Sequence, residues 1–462
     1  MHPTRSAKLH QQRRVNNRAA NSNSYDFFNL LTGPELLDQV EILLPDHRER
    51  LFPPTETLSM FLAQALSTDR SCQRAVNDTA IKRLLGGLTP CSTHTGAYCR
   101  ARQRLPVEMV SALVRKTGQL MTETALEAWH WQGRPVRLVD GTTVSMPDTP
   151  ANQASYPQSR SQKPGLGNPL CRMAGIICLG SGVLLDAAIG RYRGKGGDEQ
   201  SLLRSMLDTL NCGDILLGDA YYATYFMLCD LQQRGVDAVF EQYGARKRST
   251  DFRRGQRLGQ RDHLIELSKP KLKPGWMTQA DYDQAPDILK VRELQTGGKI
   301  LVTTLLCAKK APKAAVKLLY RCRWHVELDL RNIKATLGLG VLSCKTPSMA
   351  EKEIWVYLLA YNLIRMIMVR AAIHTQQLPR ELSFKHSLQL WLAWSRQGTV
   401  SNHGPEASVL LVLIAQKRVG KRPGRVEPRA LKRRPKPYPL LNQPRQLARQ
   451  QVIENGHPKN VK

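Results

Sequence analysis

Asp140 stands in the run Arg137-Leu-Val-Asp140-Gly-Thr-Thr, and Asp219 in Ile215-Leu-Leu-Gly-Asp219-Ala-Tyr-Tyr. Each aspartate follows an apolar strand pattern and has glycine beside it. That places a hard carboxylate at the rim of a sheet, free to bind a cation. The competing reading is architectural, because a strand-end aspartate also caps the helix that follows. A second group of residues bears on the choice. Tyr320, Arg323, Glu327 and Lys334 are spaced Y-x-x-R-x-x-x-E-x-x-x-x-x-x-K. At about 100° per residue, all four fall within about 60° on one helical face. An ordinary i,i+4 ion pair accounts for Arg323 and Glu327. It leaves the tyrosine and the lysine on the same stripe unexplained. Asp329, the neighbouring acid, points about 160° away and is the weaker candidate.

The elements that must carry these residues can be read from periodicity. Glu35–Leu44, Glu56–Leu66 and Cys72–Leu85 have apolar residues at helical spacing. A basic helix around Tyr98–Leu105 follows, with Arg100, Arg102 and Arg104, and Pro106 opens another. Such a segment either enters a DNA groove or forms a bundle with a solvated arginine face. From Val136 the texture changes. Val136–Met146, Met173–Leu179 and Val183–Ile189 read as strands, the last two joined at Gly180-Ser-Gly182. A helix follows from Asp198 to about Leu210, its first acids suiting the positive helix N-terminus. Strand Ile215–Gly218, helix Ala223–Arg234 and strand Val236–Phe240 complete the order β-β-β-α-β-α-β, a mixed α/β layer.

After Gly244 the pattern breaks. Seven basic side chains lie between 246 and 261, then strands Leu264–Leu267, Ile288–Gln295 and Lys299–Leu306, the last two joined at Gly297-Gly298. This reads as a β-rich insertion ahead of one long helix, Pro312 to about Leu337, which carries the stripe. The division expected is 1–132, helical and DNA-binding with a disordered basic start; 133–243, the first part of an α/β core; 244–306, the insertion; 307–375, the second part of the core; and 376–462, a helical segment with a flexible basic tail.

Charge narrows the partner. Lysine and arginine number 68 against 38 acids, a net of +30 with histidines neutral, while 42% of residues are hydrophobic. There is material for a core, and the excess charge predicts a polyanion, because counterion release rewards each matched phosphate. No lipidation motif or amphipathic anchor suggests a membrane surface. The apolar run Ile354–Ile373 is interrupted by Asn362, Arg365 and Arg370 and reads as a buried helix. Ten cysteines without a C-x-x-C pair read as reduced core residues. Cys91, His94 and Cys99 lack a fourth nearby ligand for zinc. Gly190-Arg-Tyr-Arg-Gly-Lys-Gly196 is a residue short of a phosphate loop and lacks Ser or Thr after its lysine.

With these residues in view, the chain resembles the insertion-sequence-four family of transposases, a branch of the Asp-Asp-Glu transposases whose signature is Y-R-E-K. Tyr320, Arg323, Glu327 and Lys334 match that signature. Thr95–Pro106, the Asp140 and Asp219 strands, the β-rich insertion and Tyr361-Asn-Leu-Ile-Arg365 are similar to family features. The resemblance implies a ribonuclease-H-like core in which Asp140, Asp219 and Glu327 hold two Mg²⁺ ions, with Mn²⁺ able to substitute. It implies Mg²⁺-dependent cleavage at terminal inverted repeats, passage through a hairpin, and strand transfer into target DNA. Arg323 and Lys334 would grip terminal phosphates, with Tyr320 hydrogen-bonding nearby. Trp276 would stack on a flipped base, with core packing as its alternative. Partners would be double-stranded DNA and a second copy in a homodimeric synaptic complex, in the bacterial cytoplasm at the nucleoid. Two other readings stay open: an inactive or domesticated DNA-binding derivative, and a nuclease of the same fold.

Overall fold

A computed structural model of the chain describes residues 51–85, 91–194, 196–242, 244–395, 405–420 and 441–456. The basic start, the Glu35–Leu44 helix and residues 421–440 of the tail lie outside the described residues. Four helices come first: α1 Pro54–Leu66, α2 Cys72–Leu85, α3 Gly96–Arg104 and α4 Val107–Glu123. The basic helix α3 divides its arginines. Arg102 is buried against Phe61 and Tyr98 and bonded to Gln64, so it serves the core, whereas Arg100 and Arg104 are exposed.

A nine-stranded sheet follows, in the order β3-β2-β1-β4-β5-β9-β8-β7-β6. Strands β1 Val136–Ser145, β2 Leu170–Cys178 and β3 Leu184–Arg191 form an antiparallel meander. Strands β4 Ile215–Leu217 and β5 Asp237–Glu241 run parallel to β1. The expected insertion holds four strands, β6 Gln256–Gly259, β7 Asp262–Ser268, β8 Ile288–Thr296 and β9 Lys299–Thr303. It does not form a separate sheet. Val239 of β5 pairs antiparallel with Thr303 of β9, so the same sheet continues through it.

Both faces of the central strands are covered, which is why these strands read as unbroken apolar runs. Leu138, Leu217 and Val239 pack on one face with α4, the helical segment after residue 312 and α9 Pro347–His374. Val139, Leu216 and Phe240 pack on the other face with α5 Glu199–Arg204 and α6 Tyr225–Gln233. Helix α9 is the apolar run noted above. It is long and apolar enough to cross a membrane, but 89% of its apolar window is buried inside the protein.

Two helices depart from expectation. The stretch after Asp198 is α-helical only to Arg204, and Leu207–Thr209 is a 3₁₀ turn. The long helix is α7 Lys313–Arg321, a tightened turn, α8 Trp324–Arg331, and a π-helical segment Asn332–Thr336. At the turn, Arg323 N–H donates to Tyr320 and Val326 N–H to Arg323, three residues back. At the π segment, Leu337 N–H donates to Asn332, five back. The backbone overwinds and then underwinds, so a uniform 100° projection does not describe it. Within the basic tail, Arg445–Asn455 is helical.

Candidate active site

The sheet register brings the two aspartates together. Leu138 of β1 pairs with Leu217 of β4 in parallel. Asp140 and Asp219 each stand two residues beyond, so both reach the same rim. Side chains alternate along a strand, so Asp140 points to the face of Leu138, where α7 and α8 pack. Asp219 accepts from Tyr221 N–H at 2.8 Å and caps the 3₁₀ turn Ala220–Tyr222. The capping alternative is thus true of Asp219 without removing it from the rim.

Arg323 joins strand to helix. Its Nη2 donates to Glu327 Oε1 at 2.6 Å, and its Nη1 lies 3.8 Å from Asp140 Oδ2. A guanidinium therefore stands as the cation between two carboxylates. Tyr320, 7% exposed, donates its hydroxyl to the Gly218 carbonyl at 3.3 Å, beside Asp219. Burial pushes the Asp140 carboxyl up to about 6. The Gly141 N–H and Arg323 oppose that shift, while the charges of Asp219 and Glu199 add to it. A carboxyl so placed gains from a cation delivered to it.

Residues 131–363, just over half of the 462, match the family described as the transposase DDE domain. The chain belongs to that family. It is similar to the transposase InsG of insertion sequence element IS4 from Escherichia coli K12, at 29% identity over 85% of this chain and 88% of the relative. It also resembles the transposase of insertion sequence element IS421 from Escherichia coli, 32% identical over 17% of this chain and 21% of that one. A solved piggyBac transposase synaptic complex with hairpin DNA aligns over 87% of each chain, with a TM-score of 0.42 and 9% identity.

This DDE transposase is an enzyme, and its rim residues can be sorted by what they touch. Asp140, Asp219, Arg323, Glu327 and Tyr320 converge. Lys334 does not join them: it sits in the π segment near Cys171 on β2, and burial lowers its pKa. Trp276 is 48% exposed, edge-on to Phe226 with ring centroids 6.3 Å apart. The Arg204 guanidinium lies 3.8 Å from its centroid. Trp324, beside Arg323, opens α8 and is 49% exposed. Asp329 is fully buried and bonded to Arg365 and Arg380. It is part of the fold.

The donor chemistry suits a hard divalent cation, since the carboxylates of Glu327 and Asp140 flank a position already holding one positive charge. Among the described residues, no three His, Cys, Asp or Glu side chains stand close enough together to coordinate a metal as they are. Asp219 is turned to its cap and Glu327 to Arg323, so the acids share a rim while each still holds a protein partner. Sequence reasoning missed Glu199, which it used only as a helix-dipole acid. Its carboxylate accepts from Tyr222 at 3.3 Å, lies 3.8 Å from Arg172 Nε, and packs on Gly141. The helix-capping role beside it belongs to Asp198, which accepts from Ser201 N–H at 3.1 Å. The glycine after Asp140 was the available signal.

Proposed function

We propose that this transposase is a cut-and-paste enzyme with a ribonuclease-H-like core, in which Asp140, Asp219 and Glu327 hold two Mg²⁺ ions, Mn²⁺ substituting. The strand order, with β4 and β5 parallel to β1 and a β1–β3 meander, supports the core assignment. The domain boundaries 1–132, 133–243, 244–306, 307–375 and 376–462 go with it, the insertion extending the core sheet. The observation that carries the reading is Arg323, bonded to the helix acid and close to the strand acid.

Bound there, the metal would supply a nucleophile at neutral pH and stabilise the leaving oxygen. In cleavage, a water oxygen bonds to phosphorus as the bond to the 3′ oxygen breaks, leaving a 3′-hydroxyl and a 5′-phosphate. That 3′-hydroxyl then serves as the nucleophile, first on the opposite strand to form a hairpin and, after hairpin opening, on target DNA. The protein's part is positioning. Tyr320 anchors Gly218 and so fixes the strand end that bears Asp219. Arg323, once the carboxylates are engaged, is freed to pair with a terminal phosphate. Lys334, apart from the rim cluster, offers a second cation for a backbone phosphate, and Trp276 offers an exposed ring for a flipped base. The substrate is the terminal inverted repeats, the acting form is a homodimer on paired ends, and the setting is the bacterial cytoplasm.

The test is strand cleavage of a labelled transposon-end duplex. Asp140→Asn, Asp219→Asn and Glu327→Gln should each abolish nicking while leaving duplex affinity within about threefold. Nicking at the wild-type rate by any of the three removes that residue from the triad. Loss of duplex binding in all three would mean that the acids hold the fold together and not the metal.

A further inference from the structure

Gly141 follows Asp140 and points to the opposite face of β1, the face of Val139. A Cβ built there would lie 2.2 Å from Glu199 Cδ and 2.5 Å from its Oε1. A side chain at this position would displace the Glu199 carboxylate that fills the space. Glu199 comes from α5, on the other side of the sheet from Arg323 and Glu327. What separates the two sides is thin at this point. Strand β4 ends at Leu217, whereas β1 runs on to Ser145, so among the described residues no strand continues beside Asp140 and Gly141 on that flank.

The partners of Glu199 leave it capacity. Tyr222 reaches it at 3.3 Å, at the long end of hydrogen bonding. Arg172 approaches at 3.8 Å through a buried Nε that makes no hydrogen bond, while its Nη1 donates to the Gly197 carbonyl at 3.1 Å. A carboxylate placed only to neutralise Arg172 would bond it directly, as Asp329 bonds Arg365 and Arg380. Glu199 instead presents its oxygens along the edge of Gly141, next to Asp140.

We propose that Glu199 is a fourth carboxylate of the catalytic site, reaching Asp140 and Asp219 through the gap beyond β4 and helping them hold the divalent cation. This rests on the metal-site reading above. Gly141 is the positioning residue that admits it. The acids then bracket the site from both faces of the sheet, with Glu327 on one side and Glu199 on the other.

The experiment titrates Mn²⁺ into the full-length protein without DNA and follows binding by calorimetry, beside thermal melting of each variant. Glu199→Gln keeps the shape and the Tyr222 hydrogen bond but removes the charge. It should weaken Mn²⁺ about 10- to 100-fold at an unchanged melting temperature. Gly141→Ala, which displaces Glu199, should weaken Mn²⁺ similarly. The double variant should be no worse than either, since both act through one carboxylate. Wild-type Mn²⁺ affinity in Glu199→Gln, with binding lost in Asp219→Asn, would overturn this inference and leave the triad standing. Wild-type affinity in Asp219→Asn as well would overturn the triad and the inference with it. Additive losses in the double variant would overturn the role given to Gly141.

Discussion

Glu327 and Asp329 stand two residues apart on α8, and both face arginine, yet they belong to different kinds of structure. Asp329 has no exposed surface and bonds Arg365 and Arg380 at 2.5 Å each. The same Arg365 bonds the Tyr361 hydroxyl, and Arg380 also donates to the Cys178 and Leu179 carbonyls. Every oxygen of that acid is committed. Glu327, with 32% of its side chain exposed, has one ion-pair partner among the described residues, Arg323, which also lies near Asp140. Identical charge chemistry is architecture where partners are complete and water is excluded. It is available for chemistry where one partner is shared and solvent can enter.

The largest effect expected follows from that contrast. Asp329→Ala leaves two buried guanidinium groups without a counter-charge, and should cost about 3–5 kcal/mol of stability. Its loss of activity should track unfolding and recover under conditions that refold it. Glu327→Gln should change stability by less than about 1 kcal/mol, as a partly exposed ion pair does, while nicking disappears. Urea unfolding of the two variants, with cleavage measured at the lowest temperature that supports turnover, makes the comparison. Equal stability losses would erase the distinction between the two faces of α8.

Asp140 lies between these extremes, and pH makes the position measurable. Its folded pKa of about 6 exceeds the ordinary 3.8. Between those values the folded state keeps a proton that the unfolded chain has released. Stability contributed by that proton is therefore full below about pH 4 and lost as pH rises through 6. Without divalent metal, Asp140→Asn should be more stable than wild type at neutral pH, by on the order of 2 kcal/mol. The gain should shrink to nothing near pH 4. Urea unfolding in chelator at both pH values tests this. A variant less stable than wild type at neutral pH would mean that the Arg323 attraction outweighs burial, and would move Asp140 towards the Asp329 class.

What could be read from the residues alone followed the range of the interaction. Asp140 and Asp219 were legible because an apolar strand ending in glycine and aspartate is a local pattern. The parallel register then aligned them, each two residues past a paired leucine. Tyr320, Arg323 and Glu327 were legible because helical spacing survives a modest change of winding. The overwinding itself was not, since no proline or glycine marks Cys322–Arg323. The partners of Asp329 lie more than thirty and fifty residues away, and no short-range pattern announces them. Glu199 was hidden similarly: its meaning depends on Gly141, across the sheet. That the insertion extends the core sheet depends on one pairing, β5 with β9, which alternation within either strand cannot express.

Lys334 supplies the smallest test, because it is a cation of the Y-R-E-K set with no acid at all. Among the described residues no ion pair engages it, and burial alone pulls its pKa below the ordinary lysine value. If an arginine with a shared acid is a reserve cation, a lysine without one is already committed to an external anion. Lys334→Ala should therefore lower affinity for every duplex nearly alike. It should also reduce the slope of log affinity against log salt by about 0.9, the contribution of one phosphate contact. Arg323→Ala should behave differently in metal-free buffer. There its guanidinium is held by Glu327 and Asp140, so the slope should barely change, and it should fall by a similar amount only when divalent cation is added. Duplex titrations over a range of salt, with and without Mg²⁺, separate the two. An unchanged slope in Lys334→Ala would remove that lysine from the phosphate contacts. An Arg323→Ala slope indifferent to Mg²⁺ would show that the guanidinium never leaves its carboxylates, and that the open face of α8 is as fixed as the sealed one.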